Sequence, residues 1–289
     1  MGDGPQLLSA MPAVLVTGAS RGIGRSIACR LAASGWDVVA GVRTEEDAVT
    51  IGAVGPRISP VRLDVTDTAH IAALDDALPE RLDAVVNNAG IFRPCPVEAL
   101  NADDLLRQQL EVNLIGAIAV TRAVLPRLRR SAGRIVFVSS VNGRVSFPLF
   151  GGYSASKFAL EAAADALRME LKPWNVAVVV VQPGETDTDI WRTIGAQVEQ
   201  SAAAMPLDQR DLYARHWSGL TTMIPIGQKL TAPPEKVADV VEKALSARHP
   251  RARYAVGIAT KAQLVTLSKL PAFMRDRLLR AMLRQPGRT

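Results

Sequence analysis

Cysteine, histidine and aromatic side chains are all scarce in this chain of 289 residues. Its two cysteines, Cys29 and Cys95, are too few for a disulfide framework and have no metal-binding neighbour at useful spacing. Both read as reduced thiols of a cytosolic protein. His70, His216 and His249 are scattered, which excludes a histidine-based metal motif. Aromatics make up 4% of a chain that is 48% hydrophobic, so the core must be built from valine, leucine, isoleucine and alanine. No stretch approaches the ~18 uninterrupted apolar residues of a membrane-spanning helix. The opening MGDGPQLLSAMP lacks the basic start and long apolar run of a secretory signal, and MGDGPQ lacks the Ser or Thr of a myristoylation signal. Residues 1–11 are expected to form a flexible N-terminus.

Basic charge is also missing from most of the chain, although the net charge is +6. Residues 229–289 hold 13 Lys/Arg against 4 Asp/Glu, a balance of +9, so the remaining 228 residues balance at −3. A body-wide nucleic-acid surface is therefore not expected.

What the chain does have is a rhythm of apolar runs and helical segments. AVLVTGAS (13–20), DVVAGVR (37–43), RISPVRLDV (57–65), DAVVNNAG (83–90), GRIVFVSS (133–140), NVAVVVVQPG (175–184) and ARYAVG (252–257) read as strands. Their continuous apolar character belongs to strands buried on both faces, as in a parallel sheet flanked by helices. Helices are expected over 22–35, 45–53, 67–78, 103–129 (with Asn113 inside it) and from Tyr153 to about Lys172. This alternation predicts an α/β doubly wound fold in one domain over 12–289. Residues 185–235 interrupt the rhythm and read as a substrate-covering insertion.

TGASRGIG (17–24) places Gly18, Gly22 and Gly24 between the first strand and the first helix. Glycine allows the turn and lets a phosphate approach the backbone, where the helix amino end offers free N–H groups and a positive dipole. YSASK sets Tyr153 and Lys157 one helical turn apart, on one face. Alone, such a pair reads as a solvated helix face. It arrives, however, with NNAG (87–90) closing the fourth strand, LDV placing Asp64 after the third, and Ser139 and Ser140 closing the fifth.

With these motifs in order over roughly residues 12–190, the chain resembles the short-chain dehydrogenases/reductases. Its tail, with PRARYAVG followed by LP, resembles the branch acting on steroids and retinoids. The resemblance implies a mostly parallel seven-stranded Rossmann sheet and a catalytic tetrad of Asn113, Ser140, Tyr153 and Lys157. A strand alternates its faces, so either Ser139 or Ser140 can point into the cleft; the family spacing selects Ser140. Tyr153 would pass the proton, made acidic by the Lys157 ammonium. Ser140 would hold the substrate oxygen. Lys157 would also hold the nicotinamide ribose, and Asn113 would support a water path to Lys157.

The same resemblance assigns the cofactor contacts. Gly18, Ser20, Arg21, Gly22, Ile23 and Gly24 would cradle the pyrophosphate, Asp64 and Val65 meet the adenine, and Asn87, Ala89 and Gly90 line the other side. Pro183, Gly184 and Thr186 would lie at the nicotinamide end, and Thr188 on the phosphates. Val42 stands where an acidic residue would hold a ribose 2′-hydroxyl. Arg43 and Arg21 instead suit a 2′-phosphate, so NADP(H) is expected rather than NAD(H). Glu45 and Glu46 read as helix-start residues.

Phe147, Phe150, Trp191, Met205, Trp217, Met223 and Ile224 favour a hydrophobic carbonyl or alcohol substrate. The segment 258–289 is a basic tail whose amphipathic helix, LPAFMRDRLLRAMLRQPG, can pack on its own subunit or a partner, or lie on an anionic membrane surface. A homodimer or homotetramer follows from the resemblance alone. The competing readings are a 3-oxoacyl-thioester reductase and a dinucleotide-sensing regulatory protein on the same fold.

Overall fold

Runs rich in valine, closed by glycine or polar residues, form seven strands in the computed structural model, which describes residues 11–100 and 105–286. They are β1 (Ala13–Thr17), β2 (Asp37–Val42), β3 (Ile58–Arg62), β4 (Ala84–Asn87), β5 (Arg134–Val138), β6 (Ala177–Gln182) and β7 (Arg253–Ala255). The sheet order is β3-β2-β1-β4-β5-β6-β7, and every pairing is parallel rather than most of them.

Helices cover both faces: α1 (Gly22–Ala33), α2 (Glu45–Gly52), α3 (Thr68–Ala72), α4 (Leu74–Ala77), α5 (Arg107–Leu110), α6 (Ala117–Ser131) and α7 (Gly151–Glu170). Beyond β6 come α8 (Asp189–Arg192), α9 (Ile194–Ala204), α10 (Leu207–Lys229) and α11 (Glu235–Ser246), and after β7 come α12 (Ile258–Leu267) and α13 (Ala272–Met282). Alternation along the strands divides the core in two. On β5, Val136 and Val138 join Ile27 and Leu31 of α1 and Val237 and Val241 of α11. Ile135 and Phe137 face the other way, to Val120 and Val124 of α6 and Leu160 of α7.

Local chemistry explains the helix starts. Thr44 caps α2 by accepting from the Asp47 N–H at 3.1 Å, and Glu45 and Glu46 occupy its first turn, as helix-start residues should. Asp67 caps α3 the same way. The α1 terminus differs: Arg21 is extended at the cap position and no side chain bonds the first-turn N–H groups.

Two expected helices change on folding. The helix foreseen over 67–78 breaks at Ala73 into α3 and α4. The helix foreseen over 103–129 begins outside the described residues, at 103 and 104, and further on passes through a π-helical turn, Glu111–Gly116, between α5 and α6. The helix foreseen after Pro271 is α13, and a further helix, α12, precedes it in the tail. The expectation for residues 1–10 lies outside the described residues. Among the described residues no helix is long and apolar enough to cross a membrane.

The insertion is helical, and the tail closes on it. Leu283 packs into an apolar cluster with Trp217 and Leu220 of α10, and Leu279 joins Val145 and Leu267. Gly219 of α10 makes this approach possible, because a Cβ there would come within 2.6 Å of the Leu283 and Arg284 carbonyl oxygens. Gly219→Ala is expected to lift the end of the tail. Amide hydrogen exchange over residues 272–286 should then rise while the strands keep their protection; unchanged exchange in the tail would disprove the docking.

Candidate active site

The strand order reverses between β1 and β4, so the connections from these strands leave in opposite directions and open a crevice at their carboxyl ends. The two lips are stitched together. Thr17 Oγ1 accepts from the Asn88 and Ala89 N–H groups, both at 3.0 Å. Asn88 Nδ2 donates back to the carbonyls of Thr17 (3.0 Å) and Gly18 (3.2 Å). Gly18 has φ +64°, and a Cβ there would sit 3.0 Å from Ala89 Cα. A Cβ on Gly24 would overlap the Gly18 carbonyl oxygen. Thr17 and Asn88 were not singled out from the sequence, although both lie inside the motifs quoted from it.

The crevice gathers the residues expected to hold a dinucleotide. Ser20, Arg21, Gly22 and Ile23 form the turn into α1, whose uncapped N–H groups suit an anion. Arg43 follows β2 and is exposed. Asp64 and Val65 follow β3. Burial pushes the Asp64 carboxyl up, but two bonds from Thr66 and the charges of Arg43 and His70 more than offset this and hold it below its ordinary value. Gly90 follows β4, and Pro183, Gly184, Thr186 and Thr188 follow β6. Thr188 Cγ2 faces Gly22, where a Cβ would be 3.3 Å away. Thr186 forms a bridge with Ala232.

Two of the expected contacts are arranged differently. Asn87 turns its side chain away from the crevice, donating to Thr121 Oγ1 of α6 at 2.9 Å. Arg21 is already engaged, with Nε 3.4 Å from Asp189.

The four tetrad positions converge on one side of this crevice. Tyr153 is in the first turn of α7, set edge-on to Phe92 with ring centroids 5.1 Å apart. Ser140, just past β5, lies beside the Tyr153 phenol and accepts from the Asn142 N–H at 3.1 Å. Ser139 faces the opposite way: its Oγ is buried next to Gly143 and Glu161. This alternation agrees with the choice of Ser140.

Lys157 is 4% exposed and donates from Nζ to the Val138 carbonyl at 3.0 Å. Asn113 lies in the π-helical turn, where its side chain exchanges bonds with the Ile91 backbone (2.8 and 2.9 Å) and donates to Ser156 Oγ at 3.0 Å. Ser156, also unforeseen, donates to the Tyr153 carbonyl at 2.7 Å and so ties this turn to α7. The missing side chain of Gly90 leaves a gap between Asn113 Oδ1 and Lys157 Nζ; a Cβ there would be 3.3 and 3.7 Å from them.

The electrostatics correct one expectation. Lys157 Nζ is 5.8 Å from the Tyr153 ring centroid and directed at a carbonyl. Burial pushes the Tyr153 phenol up to about 12, with the Ser140 bond pulling the other way. Burial also brings the Lys157 ammonium down to about 8, opposed by Glu161. Desolvation thus raises the phenol where the pairing with Lys157 is expected to lower it, and the phenol is held in its neutral form.

Tyr153 packs against an apolar cluster. Phe92, Phe150, Ile194, Val198, Met205, Trp217 and Ile224 are buried there, with Phe147, Tyr153 and Trp191 packed against them. Of the residues expected to line it, Met223 alone is outside this cluster. A separate cavity of about 550 Å³ runs beside α1 between Arg25, Cys29, Asp189, Arg192 and Glu235, reaching Gly22 and Thr188 but not Tyr153.

A family model described as short chain dehydrogenase matches residues 12–199. The chain is 36% identical over 277 residues to 17-beta-hydroxysteroid dehydrogenase type 6 of Homo sapiens. It is 37% identical over 279 residues to retinol dehydrogenase 16 of Homo sapiens. Both alignments cover 92% of this chain and 87% of the relative. A solved short chain dehydrogenase from Burkholderia cenocepacia, in complex with NADP, superposes with a TM-score of 0.73 at 27% identity, covering 96% of this chain and 98% of that one. With its parallel sheet and its crevice at the strand-order reversal, the chain belongs to the short-chain dehydrogenase family of oxidoreductases, in the branch of the steroid and retinol dehydrogenases.

Proposed function

We propose that the protein is an NADP(H)-dependent oxidoreductase interconverting a carbonyl and a primary or secondary alcohol on a hydrophobic substrate of steroid, retinoid or lipid type. The observation that carries this reading is the position of Ser140 and Tyr153. Tyr153 borders an apolar cluster with Ser140 beside its phenol, and Lys157, one turn further along α7, lies next to Gly90 of the loop that meets the glycine cradle.

The residues present fit a dinucleotide. Gly18 and Gly22 adopt the left-handed conformation, and the α1 N–H groups they lead into have no side-chain cap. When bound, the nicotinamide supplies or accepts the hydride. Gly18, Ser20, Gly22, Ile23 and Thr188 would hold the pyrophosphate, Asp64 and Val65 the adenine, and Gly184 and Thr186 the nicotinamide end. Arg43 would take the 2′-phosphate. Arg21 can join it, because its exposed pair with Asp189 is worth little and re-forms easily.

Tyr153 acts at the substrate oxygen. For reduction the neutral phenol is the correct form, since it donates a proton as negative charge develops on the carbonyl oxygen. Ser140 holds that oxygen. For oxidation Tyr153 must accept the proton, and the Lys157 charge stabilises the phenolate. Water in the gap beside Gly90 would connect Lys157 with Asn113. The apolar cluster beside Tyr153 favours a steroid- or retinoid-sized hydrophobe over an acyl thioester, in line with the steroid and retinol dehydrogenases among the relatives.

The exposed side of α13 carries Phe273, Met274, Leu278 and Met282 among arginines, a surface suited to anionic lipid.

Tyr153→Phe should lower turnover about 10²–10⁴-fold and leave the NADPH dissociation constant unchanged; full activity would refute the assignment. NADPH should bind more tightly than NADH, and Arg43→Ala should reduce the preference about tenfold or more. Tighter binding of NADH would overturn the choice of cofactor. Sedimentation with anionic vesicles should be lost in the doubly substituted Phe273→Glu, Leu278→Glu protein, while retained binding would remove the membrane contact.

A further inference from the structure

Lys157 is a buried cation, and burial by itself drives an ammonium towards the neutral amine. The elements around it offer little to oppose this. The loop after β4 contributes Gly90, the π-helical turn Asn113, and the end of β5 the Val138 carbonyl, Ser139 and Ser140. On α7 itself Tyr153 is neutral. The charged group set against Lys157 is Glu161, one helical turn further along α7.

Glu161 is 3% exposed and firmly held. Its Oε1 accepts from Gln182 Nε2 of β6 at 2.6 Å, and its Oε2 accepts from Arg253 Nε of β7 at 2.9 Å. Arg253 also reaches Asp165 Oδ2, another turn along α7, at 2.6 Å. It therefore spans positions 161 and 165, on the side of Glu161 away from Lys157. Being partly exposed and shared with Asp165, its charge does not cancel Glu161 at the lysine. Gly143 closes the pocket, since a Cβ there would lie 3.0 Å from Glu161 Oε1.

We infer that Glu161 is a positioning residue for the Tyr153 site: its buried carboxylate, anchored by Gln182 and Arg253, keeps Lys157 in the ammonium form at neutral pH. The functional part of this inference rests on the proposed pairing of Tyr153 with Lys157. Even with Glu161 in place, burial leaves the Lys157 ammonium at about 8, so loss of the carboxylate brings neutral amine into the physiological range.

Glu161→Gln preserves volume and removes the charge. Lys157 can be titrated by ¹³C NMR of its Cε in the protein without added nucleotide, its signal assigned by its loss in Lys157→Met. The midpoint should fall by about one pH unit or more in Glu161→Gln, with part of the shift restored in Glu161→Asp. The alkaline limb of the kcat profile for carbonyl reduction should move down with it. An unchanged midpoint overturns the inference. If Glu161→Gln fails to fold because Arg253 is left unpaired, Glu161→Gln combined with Arg253→Met removes both charges and is read by the same two outcomes. The titration needs no turnover, so its failure is distinct from failure of the proposed reaction, which Tyr153→Phe decides.

Discussion

Everything at this site depends on how closely the turn after β1 approaches the loop after β4. Two parallel strands side by side carry their connections off in opposite directions, which would leave an open gap. Thr17 and Asn88 close its base with four hydrogen bonds, and Gly18 allows contact with Ala89 that a side chain would prevent. The same loop then continues through Gly90 to Asn113 and Lys157. The anion cradle and the tyrosine site are thus two ends of one rigid backbone path.

Desolvation sets the chemistry of the second end. Lys157 is buried and Tyr153 partly so, and each moves towards its neutral form, the phenol upwards and the ammonium downwards. A pair that looks like a simple acid–base partnership in one dimension is a balance in three. Glu161 supports the lysine from below and Ser140 the tyrosine from beside. Asn113 braces rather than titrates: its amide fixes the Ile91 backbone and Ser156, and the π-helical turn brings it within reach of both.

The insertion and the tail serve the substrate side. The helices of the insertion carry much of the apolar cluster beside Tyr153, and the tail packs onto that cluster through Leu283, while Leu279 anchors it to Val145 and Leu267. The tail thereby becomes part of the packing beside Tyr153.

The sheet and the cradle were legible in the sequence because they rest on short-range rules. Valine runs without polar interruption make strands buried on both faces, glycines at 18 and 22 permit the turn, and a spacing of four puts Tyr153 and Lys157 on one side of a helix. Other features depend on partners distant in the chain, which no local pattern encodes. Asn87 turns to Thr121, Arg21 meets Asp189, Ser156 receives Asn113, and Glu161 is joined by Arg253 from the last strand. The sequence by itself determined which residues could carry the chemistry. Tertiary structure decided how each is charged and oriented, because desolvation and electrostatic interaction arise only when the layers pack and water is excluded.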